Sequence, residues 1–146
     1  MVLKWKRLHP HALEPTKAYE GDAGWDLPIL RDTWVPLGQL VDIHTGIAVD
    51  IPIGYYGRIV SRSSTPRRRG LIVIEGIIDA GYRGELYAAA YCMNTHLVNE
   101  IGGVKLNRGE SIAQLIISPV PDMELEEAEE LSQSERGKRG FGSSGR

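Results

Sequence analysis

The chain has 146 residues and a mass of 16.2 kDa, with 42% hydrophobic and 25% charged residues, which is enough for one domain core and not for two. Seventeen Lys and Arg against 19 Asp and Glu leave a net charge of -2, which argues against nucleic-acid binding through bulk positive charge. The single cysteine, Cys92, excludes an internal disulfide framework and a thiolate zinc site. No apolar run approaches the roughly 20 residues of a membrane span, and the first ten residues are too polar for a signal peptide. A cytoplasmic protein with neither membrane nor nucleic acid as partner is the expectation.

Gly (17 residues) and Pro (8) recur every few positions, cutting the sequence into short pieces and disfavouring long helices. The clearest strand spans 41–53, where Val41, Ile43, Thr45, Ile47, Val49, Ile51 and Ile53 fall on one face. Ser64, Thr65 and Pro66 offer a cap and a first-turn proline for a short helix through Arg69, with Arg67, Arg68 and Arg69 as a solvated basic face. The aliphatic run 71–74 reads as a strand buried on both faces. Asp79, Ala80, Gly81 and Tyr82 read as a hairpin tip in which Gly81 is free to take a positive φ. Residues 86–93 and 112–120 are further strands, the second stopped by Pro119 and Pro121. Residues 124–131 could wind into a turn or two of helix, although their acids would repel one another. The fold class is therefore mainly β, with many short strands and one short helix. Residues 132–146 are rich in Gly, Ser and Arg and too poor in apolar residues to order themselves, so they read as a flexible tail after a domain of residues 1–131.

Three segments carry residues suited to chemistry. Arg62, Ser63 and Ser64 place a guanidinium beside two hydroxyls just ahead of the helix, a combination that suits a phosphate, although a capped loop is the simpler reading of these residues alone. Asp79 ends an apolar run at a turn, where a carboxylate can be held rigidly enough to act as a general base, or can serve only its own backbone. Tyr82, three residues on, offers a ring face to a ligand or to the core. Arg136 to Gly145 supplies glycines whose amides can wrap a polyphosphate, basic residues, and Phe141 as a stacking surface, without the GK[ST] ending of a P-loop.

Taken together and in this order, five motifs resemble those of the trimeric dUTP pyrophosphatase (dUTPase) family. They are Ala23-Gly24-Trp25-Asp26-Leu27, the run 57–64 (GRIVSRSS), the run 76–85 (GIIDAGYRGE), the run 108–115 (RGESIAQL) and the run 136–145 (RGKRGFGSSG). The resemblance implies a jelly-roll-like barrel of the β-clip type, assembled as a homotrimer whose active sites lie between subunits. It implies hydrolysis of dUTP to dUMP and pyrophosphate, which keeps uracil out of DNA and supplies dUMP for dTMP synthesis. Asp79 would orient and deprotonate the water that attacks the α-phosphorus. Gly76, Ile77 and Ile78, with Val73 and Tyr87, would contact the base, and Tyr82 would pack on the deoxyribose. Arg62, Ser63, Ser64 and Gln114 would hold the α- and β-phosphates. Arg136, Gly142, Ser143 and Ser144 would reach the γ-phosphate as the tail closes over a neighbouring subunit's site, with Phe141 stacked on uracil. Mg2+ would sit on the triphosphate, met by Asp26 through water only.

Three positions depart from the family pattern. Ser61 stands where proline is usual, implying a less stiff loop. Ser111 stands where a basic residue is common, removing a salt bridge. Arg139 replaces a frequent glycine. Two other readings compete: a nucleotide-sensing regulatory protein on the same scaffold, and a dCTP deaminase relative, for which Glu75 is the nearest catalytic glutamate.

Overall fold

The structure, a computed structural model, describes residues 1–93 and 102–140. Among these the chain forms β1 (Lys4–Arg7), β2 (Gly24–Pro28), β3 (Thr33–Pro36), β4 (Leu40–His44), β5 (Ile47–Asp50), β6 (Tyr55–Ser61), the helix α1 (Ser64–Arg69), β7 (Leu71–Val73), β8 (Gly76–Ile78), β9 (Tyr87–Cys92), β10 (Gly103–Leu106) and β11 (Ser111–Pro119). The mainly-β expectation holds, as does the single short helix.

Two sheets frame the core. One runs β2-β11-β6-β8 and the other β4-β9-β7, with two-stranded ribbons β1-β5 and β10-β3 beside them. All the pairings between named strands are antiparallel. β11 is the spine of the larger sheet, pairing with β2 on one edge and β6 on the other. Its register against β2 shifts between Ser111 and Ala113, a bulge that turns both Ile112 and Ala113 inward. Leu27, Ile43, Ile47, Ile51, Ile59, Leu71, Leu86, Leu106 and Leu115 are fully buried between the layers. Truncating any one of these leucines or isoleucines to alanine would cost about 2–5 kcal/mol.

Several local expectations are corrected. The strand expected over 41–53 is two strands. Gly46, at φ +72°, breaks it after Thr45, so that β4 pairs with β9 and β5 with β1. The alternation survives the break: Ile43, Thr45, Ile47, Val49 and Ile51 are all buried, whereas Ile53 lies past the core and is exposed. The run 71–74 is buried on one face only. Leu71 and Val73 point inward, while Ile72 and Ile74 are 38% and 50% exposed. The helix starts as expected but differs in its cap: Ser63 takes the N-cap position without a side-chain capping bond, and Gly70 ends the helix at φ 63°. Residues 124–131 form no helix and are exposed, consistent with repulsion among their acids.

The turn after β8 is also not a simple hairpin tip. β8 pairs with β6 and β9 pairs with β4 and β7, so the loop 79–86 carries the chain from one sheet to the other. Tyr82 N–H closes the turn on the Asp79 carbonyl at 3.0 Å, and Gly81 is not among the positive-φ glycines.

Candidate active site

Three strands of the larger sheet meet at one corner. Asp26 on β2 lies directly across from Gln114 on β11, and Gln114 in turn lies across from Val60 on β6. Arg62 follows β6 immediately. Its Nε stands 2.8 Å from Asp26 Oδ1, and its Nη1 donates to the Ser111 carbonyl at 3.0 Å. The Gln114 amide nitrogen donates to the Ser61 carbonyl at 3.2 Å. Gly24 leaves room for this packing: a Cβ there would sit 2.6 Å from Gln114 Oε1, so that the Gln114 side chain would have to shift. Burial raises the Asp26 carboxyl above its ordinary range; Arg62 opposes that shift and Asp22 adds to it. Ser63 is exposed, Ser64 half-buried, and the Ser63 hydroxyl has no capping partner to occupy it. Arg62, Ser63, Ser64, Gln114 and Asp26, up to 88 positions apart in sequence, thus stand within one corner. A guanidinium just past β6, two hydroxyls at the start of α1 and an amide on β11 form a donor set for an anion.

The Asp79 turn is built differently. Asp79 is exposed and lines an open cavity of about 460 Å³ with Tyr55, Tyr56, Ala80 and the start of the C-terminal segment at Val120, Pro121 and Asp122. Behind it, Glu85 organises the turn. Its Oε1 accepts Gly46 N–H at 2.8 Å and lies 3.1 Å from His44 Nδ1, Tyr87 bonds its carboxylate, and its main-chain carbonyl accepts the Tyr82 hydroxyl at 2.9 Å. Burial pushes the Glu85 carboxyl up, but hydrogen bonds from Gly46, Tyr87 and His44 outweigh it and hold the group below its usual range. Tyr82 and Tyr87 are 41% and 40% exposed, and the His44 ring meets Tyr87 edge-on at 5.0 Å. Gly76 and Ile78 are half-buried and Ile77 is exposed at the strand edge. Val73 faces the core at 4% exposure, so its side chain is turned away from this surface.

These two clusters do not meet within one chain. Gly57 pairs with Ile78, which sets Asp79 beside Tyr56, whereas Arg62 lies six residues further on, just past the end of β6. At roughly 3.3 Å per residue the separation is about 20 Å. Nor does the described tail bridge them. Arg136 Nε donates to the Arg139 carbonyl at 3.1 Å and Arg139 Nε returns the bond to Arg136 at 3.0 Å, while residues 121–140 are exposed throughout. Phe141, Gly142, Ser143 and Ser144 lie outside the described residues.

The family model for dUTPase matches residues 11–145. The deoxyuridine 5'-triphosphate nucleotidohydrolase of Clostridioides difficile is 39% identical over 98% of this chain and 97% of its own length. Among solved structures, the Staphylococcus bacteriophage 80alpha dUTPase with dUPNHPP superposes with a TM-score of 0.90 at 33% identity, covering 99% of both chains. The chain belongs to the dUTPase family. It is an enzyme of that family, and its β sandwich is the family's fold. A further neighbour, a mutant form of the dUTPase from phage phi11 of S. aureus, matches at a TM-score of 0.82 and 28% identity over 89% of this chain and 98% of its own; its description names a structural Mg(II) ion.

Membership of the dUTPases gives weight to details the sequence left without a role. Glu85 was visible only as the last letter of a motif, yet it holds both tyrosines of the turn. The Ser61 hydroxyl, expected to mark a loosened loop, instead accepts the Val73 amide at 2.8 Å. Where a basic residue is absent at Ser111, Asp26 has Arg62 as its partner and Ser111 contributes its carbonyl. Glu75 is bound to Arg58 at 2.5 Å on the surface, and that hydrogen bond holds its carboxyl below the usual range.

For a divalent cation the fit is of one kind only. Among the described residues no three His, Cys, Asp or Glu side chains cluster as ligands. Asp26 is a hard oxygen donor, about a quarter exposed, with one oxygen engaged by Arg62. That suits an ion that keeps its water and rests mainly on the ligand's own phosphates.

Proposed function

We propose that the chain hydrolyses dUTP to dUMP and pyrophosphate at sites shared between copies of a homotrimer. The observation that supports sharing is the β6–β8 register, which sets Asp79 beside Tyr56, six residues and about 20 Å of extended backbone from Arg62. A carboxylate that works on the α-phosphorus and a guanidinium that grips the same phosphates must stand within one nucleotide's reach. Chains meeting with the Asp79 turn of one against the Arg62 corner of the next satisfy that requirement.

In this reading the turn supplies the base and sugar pocket. Main-chain groups of Gly76, Ile77 and Ile78 read the uracil edge, Tyr87 flanks it, Tyr82 packs on the deoxyribose, and Val73 supports the pocket from the core side. The neighbouring corner supplies Arg62, Ser63, Ser64 and Gln114 to the α- and β-phosphates. The tail, residues 132–146, closes from the remaining copy, bringing Arg136, Gly142, Ser143 and Ser144 to the γ-phosphate and Phe141 over the base, and loses its entropy only on binding. Asp79 accepts a proton from a water molecule, the water oxygen bonds to the α-phosphorus, and the bond from that phosphorus to the bridging oxygen breaks, releasing pyrophosphate. Charge neutralisation and alignment supply most of the acceleration, since phosphoryl substitution needs little else from a protein. Mg2+ on the triphosphate, approached by Asp26 through water, would add positive charge against the phosphates. Such an activity keeps uracil out of DNA and supplies dUMP, in the cytoplasm.

The test is direct. Purified protein with dUTP and Mg2+ should release one pyrophosphate per dUMP, and dCTP should be neither cleaved nor deaminated. Ammonia from dCTP, or tight dUTP binding without turnover, would overturn the reading in favour of a deaminase or a nucleotide sensor.

A further inference from the structure

The limb that leads to Asp79 changes sheets between Val73 and Gly76. β7 pairs with β9 as far as Val73 opposite Ala90, and β8 pairs with β6 from Gly76 opposite Ile59. In the β7–β9 ladder the amides of Ile74 and Met93 bond across to Ala89 and Gly70. The alternate residue, Val73, therefore directs its own N–H and carbonyl away from β9, toward β6. Among the described residues no strand pairs with them on that side. The Ser61 side chain does so instead: its Oγ accepts Val73 N–H at 2.8 Å and reaches back toward the Val73 carbonyl at 3.5 Å. Val73 is 4% exposed, so its amide has little solvent to turn to if the hydroxyl is removed.

Ser61 is tied to the other half-site through its main chain. Its carbonyl accepts Gln114 at 3.2 Å, and the next residue is Arg62, fixed on Asp26 and Ser111. One serine thus faces the base limb with its hydroxyl and the phosphate corner with its backbone.

We propose that Ser61 is a positioning residue for the dUTPase reaction: its hydrogen bond to the Val73 backbone holds the base-binding limb, which serves one shared site, at a fixed setting from the phosphate-binding corner that the same chain offers to the neighbouring site. In a symmetric assembly the two halves of every site then stay in register. The inference rests on the site reading above. It is tested with Ser61→Ala, which deletes the hydroxyl, and Ser61→Thr, which keeps it. Amide exchange should rise at Val73 by about tenfold or more in the alanine variant, with Met93 in the same sheet unchanged. With dUTP, Ser61→Ala should raise KM about five- to tenfold at a kcat within about twofold of the parent, because the hydroxyl touches no reacting atom and its loss loosens the limb that binds base and sugar, an interaction made equally in the ground and transition states. Ser61→Thr should restore KM. A serine that served stability alone would lower the melting temperature of the alanine variant and leave KM in place. Unchanged exchange at Val73, an unmoved KM, or a threonine variant as impaired as alanine would each overturn the proposal. If the parent released no pyrophosphate from dUTP, the functional reading would fail whatever Val73 did; if the parent turned over and Ser61→Ala kept its KM, the Ser61 proposal alone would fail.

Discussion

The two halves of the site are built to different standards of rigidity. At the phosphate corner the guanidinium and the amide are answered within the chain: Arg62 by Asp26 and Ser111, Gln114 by Ser61, with Asp26, Ser61, Ser111 and Gln114 on strands paired in one sheet. At the turn, Asp79 stands exposed, and the order lies behind it, where Glu85 binds Gly46, His44 and both tyrosines. Donors that neutralise a polyphosphate act best when fixed beforehand, since nothing then reorganises during the reaction. A general base has to meet a water and a substrate that another copy of the chain helps to deliver, so it is left open at the front and braced from the rear.

Breaking the turn should cost most. Asp79→Asn should lower kcat by about a thousandfold, within the range removed with a general base, while dUTP binding stays near the parent's by calorimetry. Removing residues 136–146 comes next. With the last strand ending at Pro119, the truncated chain should keep its melting temperature and assembly and lose about a hundredfold in kcat/KM. Dissociation of the assembly would instead make the tail structural. At the corner, Arg62→Ala should raise KM about tenfold or more, since one charge-assisted hydrogen bond to phosphate is lost and Asp26 is left unpaired.

The smallest effect concerns the brace. Glu85→Gln should cost about 1–2 kcal/mol of stability at neutral pH, the scale of weakened hydrogen bonds to a charged group. Because the folded carboxyl is held below its ordinary value of 4.5, its contribution is complete above that value and fades as pH falls through the lower folded one. Denaturant midpoints of parent and variant should therefore converge as pH falls below 4.5 and through the lower folded value. A gap that persisted in acid would assign the loss to packing.

Much of this was legible in the sequence. Alternation through Ile43, Thr45, Ile47, Val49 and Ile51 marked a core face that the structure keeps. The motif order gathered Asp26, Arg62 and Gln114, which the sheet brings together across 88 positions. The missing parts are those that pairing decides. Nothing local says that Gly46 breaks a strand, that β8 and β9 leave for different sheets, or that Val73 rather than Ile74 faces inward. The use of the Ser61 hydroxyl was equally hidden, because its partner is a backbone amide twelve residues away. The distance from Asp79 to Arg62 required the β6–β8 register, which depends on the whole sheet.

That distance is best tested by mixing Asp79→Asn chains with Arg62→Ala chains after unfolding and refolding them together. Assayed at dUTP well below KM, Asp79→Asn alone should be nearly inactive and Arg62→Ala alone should keep about a tenth of the parent's rate or less. Random reassembly should recover about a quarter of the parent's activity, since one junction in four would pair an intact Asp79 with an intact Arg62. Recovery no greater than the sum of the two separate variants would show that both residues serve one nucleotide from the same chain.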